Sequence, residues 1–320
     1  MDVAILGTGA VGQRFARACL FGDGKESSDT GPGETGTVDT GDSDAAGQSP
    51  AVTLYGSDAS AVMDAVDALE DALHNQVESE LTDRLDRVDG TTDLDTAVGD
   101  ADIVIETRAD DLETVRRRLA GVEERLDDGT TIAIQADVAD PTAAAAALEN
   151  PERAIGLSMV VPGSPAQADT QASAVIEVVR AVQTDDAAVD TTTGFFDGLG
   201  WTPVVVNDAP GRISSRLQLA LEAEAMRAVE ADVAAPAAID AVIEGGFGHA
   251  EGPLAAADRA GLDNRLETLD GLAAELGERF EPPAILRAKV QAGELGEKTG
   301  SGFREWEDDQ PVDEADSTVR

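Results

Sequence analysis

Gly7-Thr8-Gly9-Ala10-Val11-Gly12 is the stretch whose residue types and spacing point most directly to chemistry. It follows at once on the short apolar run Val3-Ala4-Ile5-Leu6, which suits a buried parallel strand, and Gln13–Leu20 after it reads as a helix. Strand, glycine turn and helix in that order are what the pyrophosphate of a dinucleotide requires. Gly7 permits the tight turn, Gly9 lets the backbone approach the phosphates, and Gly12 allows close packing of helix on strand. The phosphates would rest on the free N–H groups of Ala10, Val11 and Gly12, favoured by the helix dipole.

The adenosine end of such a site lies where the second strand, Ala51–Tyr55, stops. Folds of this kind place an acidic residue there to hold the ribose hydroxyls. Here the position is Gly56, followed by Ser57 and Asp58. Asp58 reaches the ribose from two residues along, or Gly56-Ser57 leaves room for a 2′-phosphate. No arginine lies nearby in the sequence to bind that phosphate, so the choice between NAD and NADP stays open.

The other reactive side chains are sparse. Cys19 is the single cysteine, so no intramolecular disulfide forms, and its place in the apolar first helix suits a small core residue. Of the two histidines, His74 falls in a helical stretch with a surface or packing role, and His249 stands in Gly246-Phe247-Gly248-His249-Ala250-Glu251-Gly252-Pro253. Sixty-four acidic residues face 23 basic ones, a formal charge of −41, with lysine only at Lys25, Lys289 and Lys298. This composition fits a halophilic surface screened by molar salt, where the Debye length is about 3 Å. Most Asp and Glu are therefore read as solvated charge and none as metal ligands, and nucleic acid would be repelled.

The elements that position these groups follow in order. Gly22–Pro50, built from Gly, Asp, Ser and Thr, is expected to be a disordered acidic insertion. Ala59–Val88 keeps helical spacing, Asp102–Glu106 is the next strand, and Asp110–Leu126 the next helix. Thr131–Gln135 is a strand, a helix follows around Thr142–Leu148, and Ala154–Val161, Ala174–Val179 and Trp201–Val206 are further strands. This alternation predicts an α/β fold with a doubly wound, mainly parallel sheet over residues 1–207. Past Asn207-Asp208-Ala209-Pro210-Gly211, Ile213–Val233, Ala237–Glu244, Leu254–Leu276 and Pro283–Ala292 read as helices of an all-helical domain over 208–305. Glu305 onward reads as a frayed acidic tail. No signal peptide or bilayer-length apolar run is apparent, and a soluble cytoplasmic protein without membrane partners is expected.

Taken together, the chain resembles the short-chain 3-hydroxyacyl-CoA dehydrogenases. The shared motifs are GTGAVG at Gly7, ADIVIE at Ala101, PERAIGL at Pro151, TPVVVNDAPG at Thr202, GFGHAEGPL at Gly246, AGLD at Ala260 and LGEKTGSGF at Leu295. The resemblance implies a Rossmann-type dinucleotide domain, a helical C-terminal domain that forms a homodimer, and an acyl substrate in the cleft between them.

The resemblance also assigns the catalytic positions, and most of them are altered. The histidine that would take the proton from the 3-hydroxyl is replaced by Ser158. The glutamate that orients it matches Glu177. The active-site serine falls on Asp137, the asparagine at the start of the helical domain on Ser215, and that of the strand-end Asn-Pro pair on Val161. A histidine base suits oxidation of a secondary alcohol near neutral pH, and serine alone does not; Asp137 or Glu177 could replace it only with a pKa raised by burial. Arg108 stands where the family has a small or apolar residue facing the cofactor, with Asp110 just beyond. Arg212 replaces an aromatic residue. These arginines suit a carboxylate or phosphate at the cleft, or pair with neighbouring carboxylates. The expectation is a diverged NAD- or NADP-dependent oxidoreductase acting on a 3-hydroxy/3-keto acyl-CoA or related small acid. The alternative is a silent dinucleotide-binding protein serving as sensor or partner subunit.

Overall fold

Val3, Ala4, Ile5 and Leu6 are all buried because β1 (Asp2–Leu6) lies in the middle of a sheet. The computed structural model describes residues 1–21, 50–74, 87–160 and 175–312, apart from 109, 138 and 309. The residues read as an acidic insertion lie outside these, Pro50 excepted, as do Val161 and the segment 163–173. The described residues divide into two compact units, those up to 160 together with 175–208, and those of 209–312.

In the first unit β1 is followed by α1 (Ala10–Phe21), β2 (Ala51–Tyr55), α2 (Ala59–His74), β3 (Val88–Thr91) and α3 (Leu94–Val98). Then come β4 (Ile103–Glu106), α4 (Leu112–Glu123), β5 (Thr131–Gln135), α5 (Pro141–Ala145), β6 (Ala154–Val160), β7 (Val175–Arg180), α6 (Asp186–Gly198) and β8 (Thr202–Asn207). The strands form one sheet in the order β3-β2-β1-β4-β5-β6-β7-β8, parallel throughout except for the antiparallel pair β6–β7. The order reverses direction at β1, so the crevice for a dinucleotide opens at the carboxyl ends of the central strands. One rung of the register runs through Leu6, Glu106, Ile134 and Gly156. The glycine turn after Leu6 and Ser158, two residues beyond Gly156 in β6, therefore both lie beyond that rung, toward the carboxyl ends of the parallel strands. Phe15, Cys19, Leu54, Ile105, Leu157 and Phe196 are among the fully buried side chains of the sheet's largest core cluster. Burial pushes the Cys19 thiol up to about 12, consistent with an inert core residue.

Several elements differ from their sequence reading. The helix expected over Ala59–Val88 is described only to His74, and Val88 opens the edge strand β3. The helical spacing of the sequence runs on to Val88, but Val88 pairs with Val52, and Gly90 lies so close to Val62 and Val66 that a Cβ there would clash. Helix α6 had no sequence assignment. Three consecutive threonines and a glycine give it poor propensity, yet the Asp185 carboxylate caps it by accepting from Ala188 N at 2.8 Å and it buries Phe195 and Phe196. Packing overrode propensity.

The second unit holds α7 (Ser214–Glu230), α8 (Pro236–Phe247), α9 (Pro253–Ala260), α10 (Leu262–Leu276) and α11 (Ala284–Ala292). The single helix expected over Leu254–Leu276 is broken at Gly261, whose φ of +90° no helix accommodates. The segment expected to fray instead carries an antiparallel pair, β9 (Glu305–Glu307) and β10 (Gln310–Val312). It is held by the buried Asp258, whose carboxylate accepts from the backbone N–H groups of Phe303 and Arg304 and from Trp306 Nε1. No helix among the described residues is long and apolar enough to cross a membrane.

Candidate functional site

The turn between β1 and α1 is shaped by two glycines and left open at a third. Gly7 has φ +135°, and a Cβ on Gly12 would stand 2.1 Å from the Gly7 carbonyl oxygen, so the helix start can sit against the strand only with glycine there. A Cβ on Gly9 would meet nothing within 4 Å. Gln13 N donates to Gly9 O at 3.0 Å, which makes Gly9 the cap and leaves the N–H groups of Ala10, Val11 and Gly12 in the first turn without carbonyls inside the helix. No acidic residue stands in that turn. This is open space beside three amides and a helix dipole, and it fits a pyrophosphate.

Around the turn, Thr107 Oγ1 donates to Leu6 O at 3.0 Å and Arg108 follows it. Arg108 donates from Nε and Nη2 to the two carboxylate oxygens of Glu106 at 2.9 and 2.6 Å, and its guanidinium lies 5.5 Å from the centre of the Tyr55 ring. Glu106 also pairs with Arg118 Nε at 3.3 Å, and Arg118 with Asp110. The sequence reading had Arg108 and Asp110 but missed Glu106, Arg118 and Tyr55. An acidic residue closing the otherwise apolar run Ile103–Glu106 was the available signal. Ser57 and Asp58 are exposed, and Asp58 Oδ1 accepts from Ala61 N at 2.9 Å at the start of α2. At the end of β5, Gln135 Oε1 is buried with no hydrogen-bond partner among the described residues, an acceptor suited to an incoming amide.

Asp137, Ser158 and Glu177 come together. The Ser158 hydroxyl donates to Asp137 Oδ2 at 3.2 Å and Oδ1 at 3.3 Å, and Ser158 is the register partner of Glu177 across β6–β7. Ser158 and Glu177 are buried, whereas Asp137, one residue beyond β5 and Ala136, is exposed. Ser215 and Arg212 belong to the second unit. Ser215 is half-buried in the first turn of α7, and Arg212 lies just before it in a turn with φ +45°, its N–H donating to Ala209 O. His249, also in that unit, is exposed just beyond Gly248, the left-handed residue that ends α8.

Comparison with known proteins fits this geometry. Residues 43–209 match the 3-hydroxyacyl-CoA dehydrogenase, NAD binding domain, and residues 211–306 match the C-terminal domain of the same family. The chain belongs to the 3-hydroxyacyl-CoA dehydrogenase family. It is 32% identical over 234 residues to a probable 3-hydroxybutyryl-CoA dehydrogenase of Bacillus subtilis, covering 73% of this chain and 79% of that one. A crystal structure of 3-hydroxybutyryl-CoA dehydrogenase from Escherichia coli superposes with TM-score 0.80 at 26% identity, over 100% of this chain and 62% of that one. The Ralstonia eutropha (S)-3-hydroxybutyryl-CoA dehydrogenase shares the fold, with TM-score 0.79 at 24% identity over 96% and 99% of the two chains. The N-terminal match begins after the glycine turn, so that turn is tied to the 3-hydroxyacyl-CoA dehydrogenase domain by its place between β1 and α1. A nicotinamide dinucleotide, NAD(H) in this family, is the cofactor, and the cradle of Gly7, Gly9 and Gly12 fits it.

Proposed function

We propose that this chain is a diverged NAD(P)-dependent oxidoreductase that moves a hydride between the cofactor and a 3-hydroxy/3-keto acyl-CoA or related small acid. The observation that carries the reading is that the glycine cradle, Asp137 and Ser158 all lie beyond one rung of one sheet, with Glu177 the partner of Ser158 on the next strand. Ala10, Val11 and Gly12 hold the pyrophosphate. The bound dinucleotide supplies the hydride acceptor. When a 3-hydroxyl is oxidised, its proton passes to the Ser158 oxygen while the Ser158 proton moves to Asp137. A carboxylate is a weaker base near neutral pH than an imidazole, so turnover is slow. Loss of a histidine base typically costs roughly 10²–10⁴-fold.

A second reading, a silent dinucleotide-binding protein, draws support from one feature: Ser158, Asp137 and Ser215 all depart from the family pattern at once. The resemblance also implies a homodimer through the C-terminal unit. Exposure of Leu217 on α7 and of Val242 and Phe247 on α8 supports it, and analytical ultracentrifugation tests it.

The purified protein, in molar salt with either cofactor, should bind dinucleotide and reduce acetoacetyl-CoA weakly at neutral pH. Family-like rates would require another base, with His249, Asp137 and Glu177 tested first. Tight binding without turnover on acyl-CoA or on small hydroxy acids would leave the silent reading.

A further inference from the structure

The adenosine end of the site, undecided in the sequence, is furnished by the tertiary structure. We infer that Arg108 and Ser57 form a subsite for the 2′-phosphate of NADP(H), so that the phosphorylated dinucleotide binds more tightly than NAD(H); this rests on the dinucleotide site proposed above.

The position after β2 that would carry a ribose-binding carboxylate is Gly56, where a side chain would need Val62 and Thr8 to shift. A Cβ there would stand 2.9 Å from Val62 Cγ2 and 3.0 Å from Thr8 Cγ2. The nearest acid along the chain, Asp58, is exposed two residues on and has Oδ1 turned to the start of α2, and no carboxylate stands at the strand end itself.

An arginine takes its place from another strand. Arg108 follows β4, yet its Cγ lies 3.1 Å from where a Cβ on Gly7 would be, so the side chain starts out across the end of β1. Its guanidinium then reaches the ring of Tyr55, the residue directly before Gly56. Tyr55 on one face and Glu106 on the Nε–Nη2 edge fix the plane of the group. Nη1 donates to none of the described residues, which leaves it for a ligand. Glu106 does not turn phosphate away, because it is shared with Arg118. The four side chains Arg108, Arg118, Glu106 and Asp110 sum to zero charge in a chain carrying −41. A planar, permanently charged guanidinium oriented in this way suits phosphate, with the exposed Ser57 hydroxyl as a second donor.

The test is equilibrium binding by calorimetry in molar potassium chloride, with NADP⁺ against NAD⁺ and 2′,5′-ADP against 5′-ADP. The 2′-phosphorylated member of each pair should bind about 10- to 100-fold more tightly, the worth of a charged hydrogen bond. Arg108→Leu should remove most of that advantage while leaving NAD⁺ affinity within about twofold. Ser57→Asp, an exposed change that leaves the Glu106–Arg108 pair intact, should do the same if Arg108→Leu fails to fold. Tighter binding of NAD⁺ than NADP⁺ by the unmodified protein, or equal losses for both dinucleotides in the variants, overturns the subsite while leaving the cofactor site standing. Binding of neither dinucleotide overturns the dinucleotide reading and the subsite with it.

Discussion

The Ser158 hydroxyl is hydrogen-bonded to the Asp137 carboxylate at 3.2 Å, and each stands where the resemblance implies a different residue, a histidine and a serine respectively. Directly opposite Ser158 on β7 stands the buried Glu177, the residue to which the resemblance assigns the orienting glutamate. An alcohol accompanied by two carboxylates thus occupies the place the resemblance gives to an imidazole. In the function proposed above, that exchange removes the group best matched to proton transfer at neutral pH and leaves a route through Asp137.

Restoring the imidazole should therefore raise the rate, but only in part. In Ser158→His, reduction of acetoacetyl-CoA should increase and acquire a pH dependence centred near the histidine range, about 6.5. The gain should stay below the roughly 10²–10⁴-fold of a full general base, because Asp137 and Ser215 remain. Steady-state rates between pH 5 and 9 check this, and an unchanged rate and profile would argue that position 158 does not face the reacting hydroxyl.

The glycine cradle separates folding from binding. Gly12→Ala drives a methyl into the Gly7 carbonyl and should lose dinucleotide binding together with about 1–3 kcal/mol of stability. Gly9→Ala meets open space in the protein, so its melting temperature should hold while dinucleotide affinity falls. Calorimetric titration and thermal melts on the two variants provide the comparison. Full affinity in Gly9→Ala would place the phosphates elsewhere.

In the second unit, burial pushes the Glu222 carboxyl up to about 7 even though Arg265 Nε lies 2.8 Å from it and Gln218 also donates to it. The nearby Glu251 acts in the same direction as burial. With the folded value above the unfolded 4.5, the folded state holds the proton more tightly. The stability contributed is complete below about 4.5 and is lost as pH rises through about 7. Glu222→Gln cannot ionise. The melting temperature of the unmodified protein should fall relative to that variant over this window, and parallel curves would refute the shift.

The net charge of −41 predicts salt-dependent stability. Lowering ionic strength from 1 M to 0.1 M lengthens the Debye length from about 3 to about 10 Å and unmasks repulsion between surface carboxylates. Circular dichroism during dialysis should show a falling melting temperature and then loss of structure. An unchanged melting temperature would remove the halophilic reading.

How much could be read without coordinates follows from the range of the interactions involved. The β1–turn–α1 unit was legible because its signals are local: an apolar run, glycines at fixed offsets, then a helical stretch. The burial of Cys19 and the alternation of strand and helix were legible for the same reason. The α6 helix was not, because its threonines and glycine speak against a helix that Phe195 and Phe196 stabilise only by burial against the sheet. Nor was the β9–β10 pair, which depends on Asp258 reaching residues more than 40 positions away.

The same division holds at the site. The sequence by itself determined which groups are present: the glycine cradle, a serine at 158 where the resemblance implies a histidine, and no acid at Gly56. Tertiary structure decided which of them meet. Ser158 reaches Asp137 because β5 and β6 pair in one register, and Arg108 reaches Tyr55 because β4 and β2 flank β1. Sequence patterns carry the period of an element and the face it buries, whereas the neighbour across a strand is set by pairing between segments far apart in the chain.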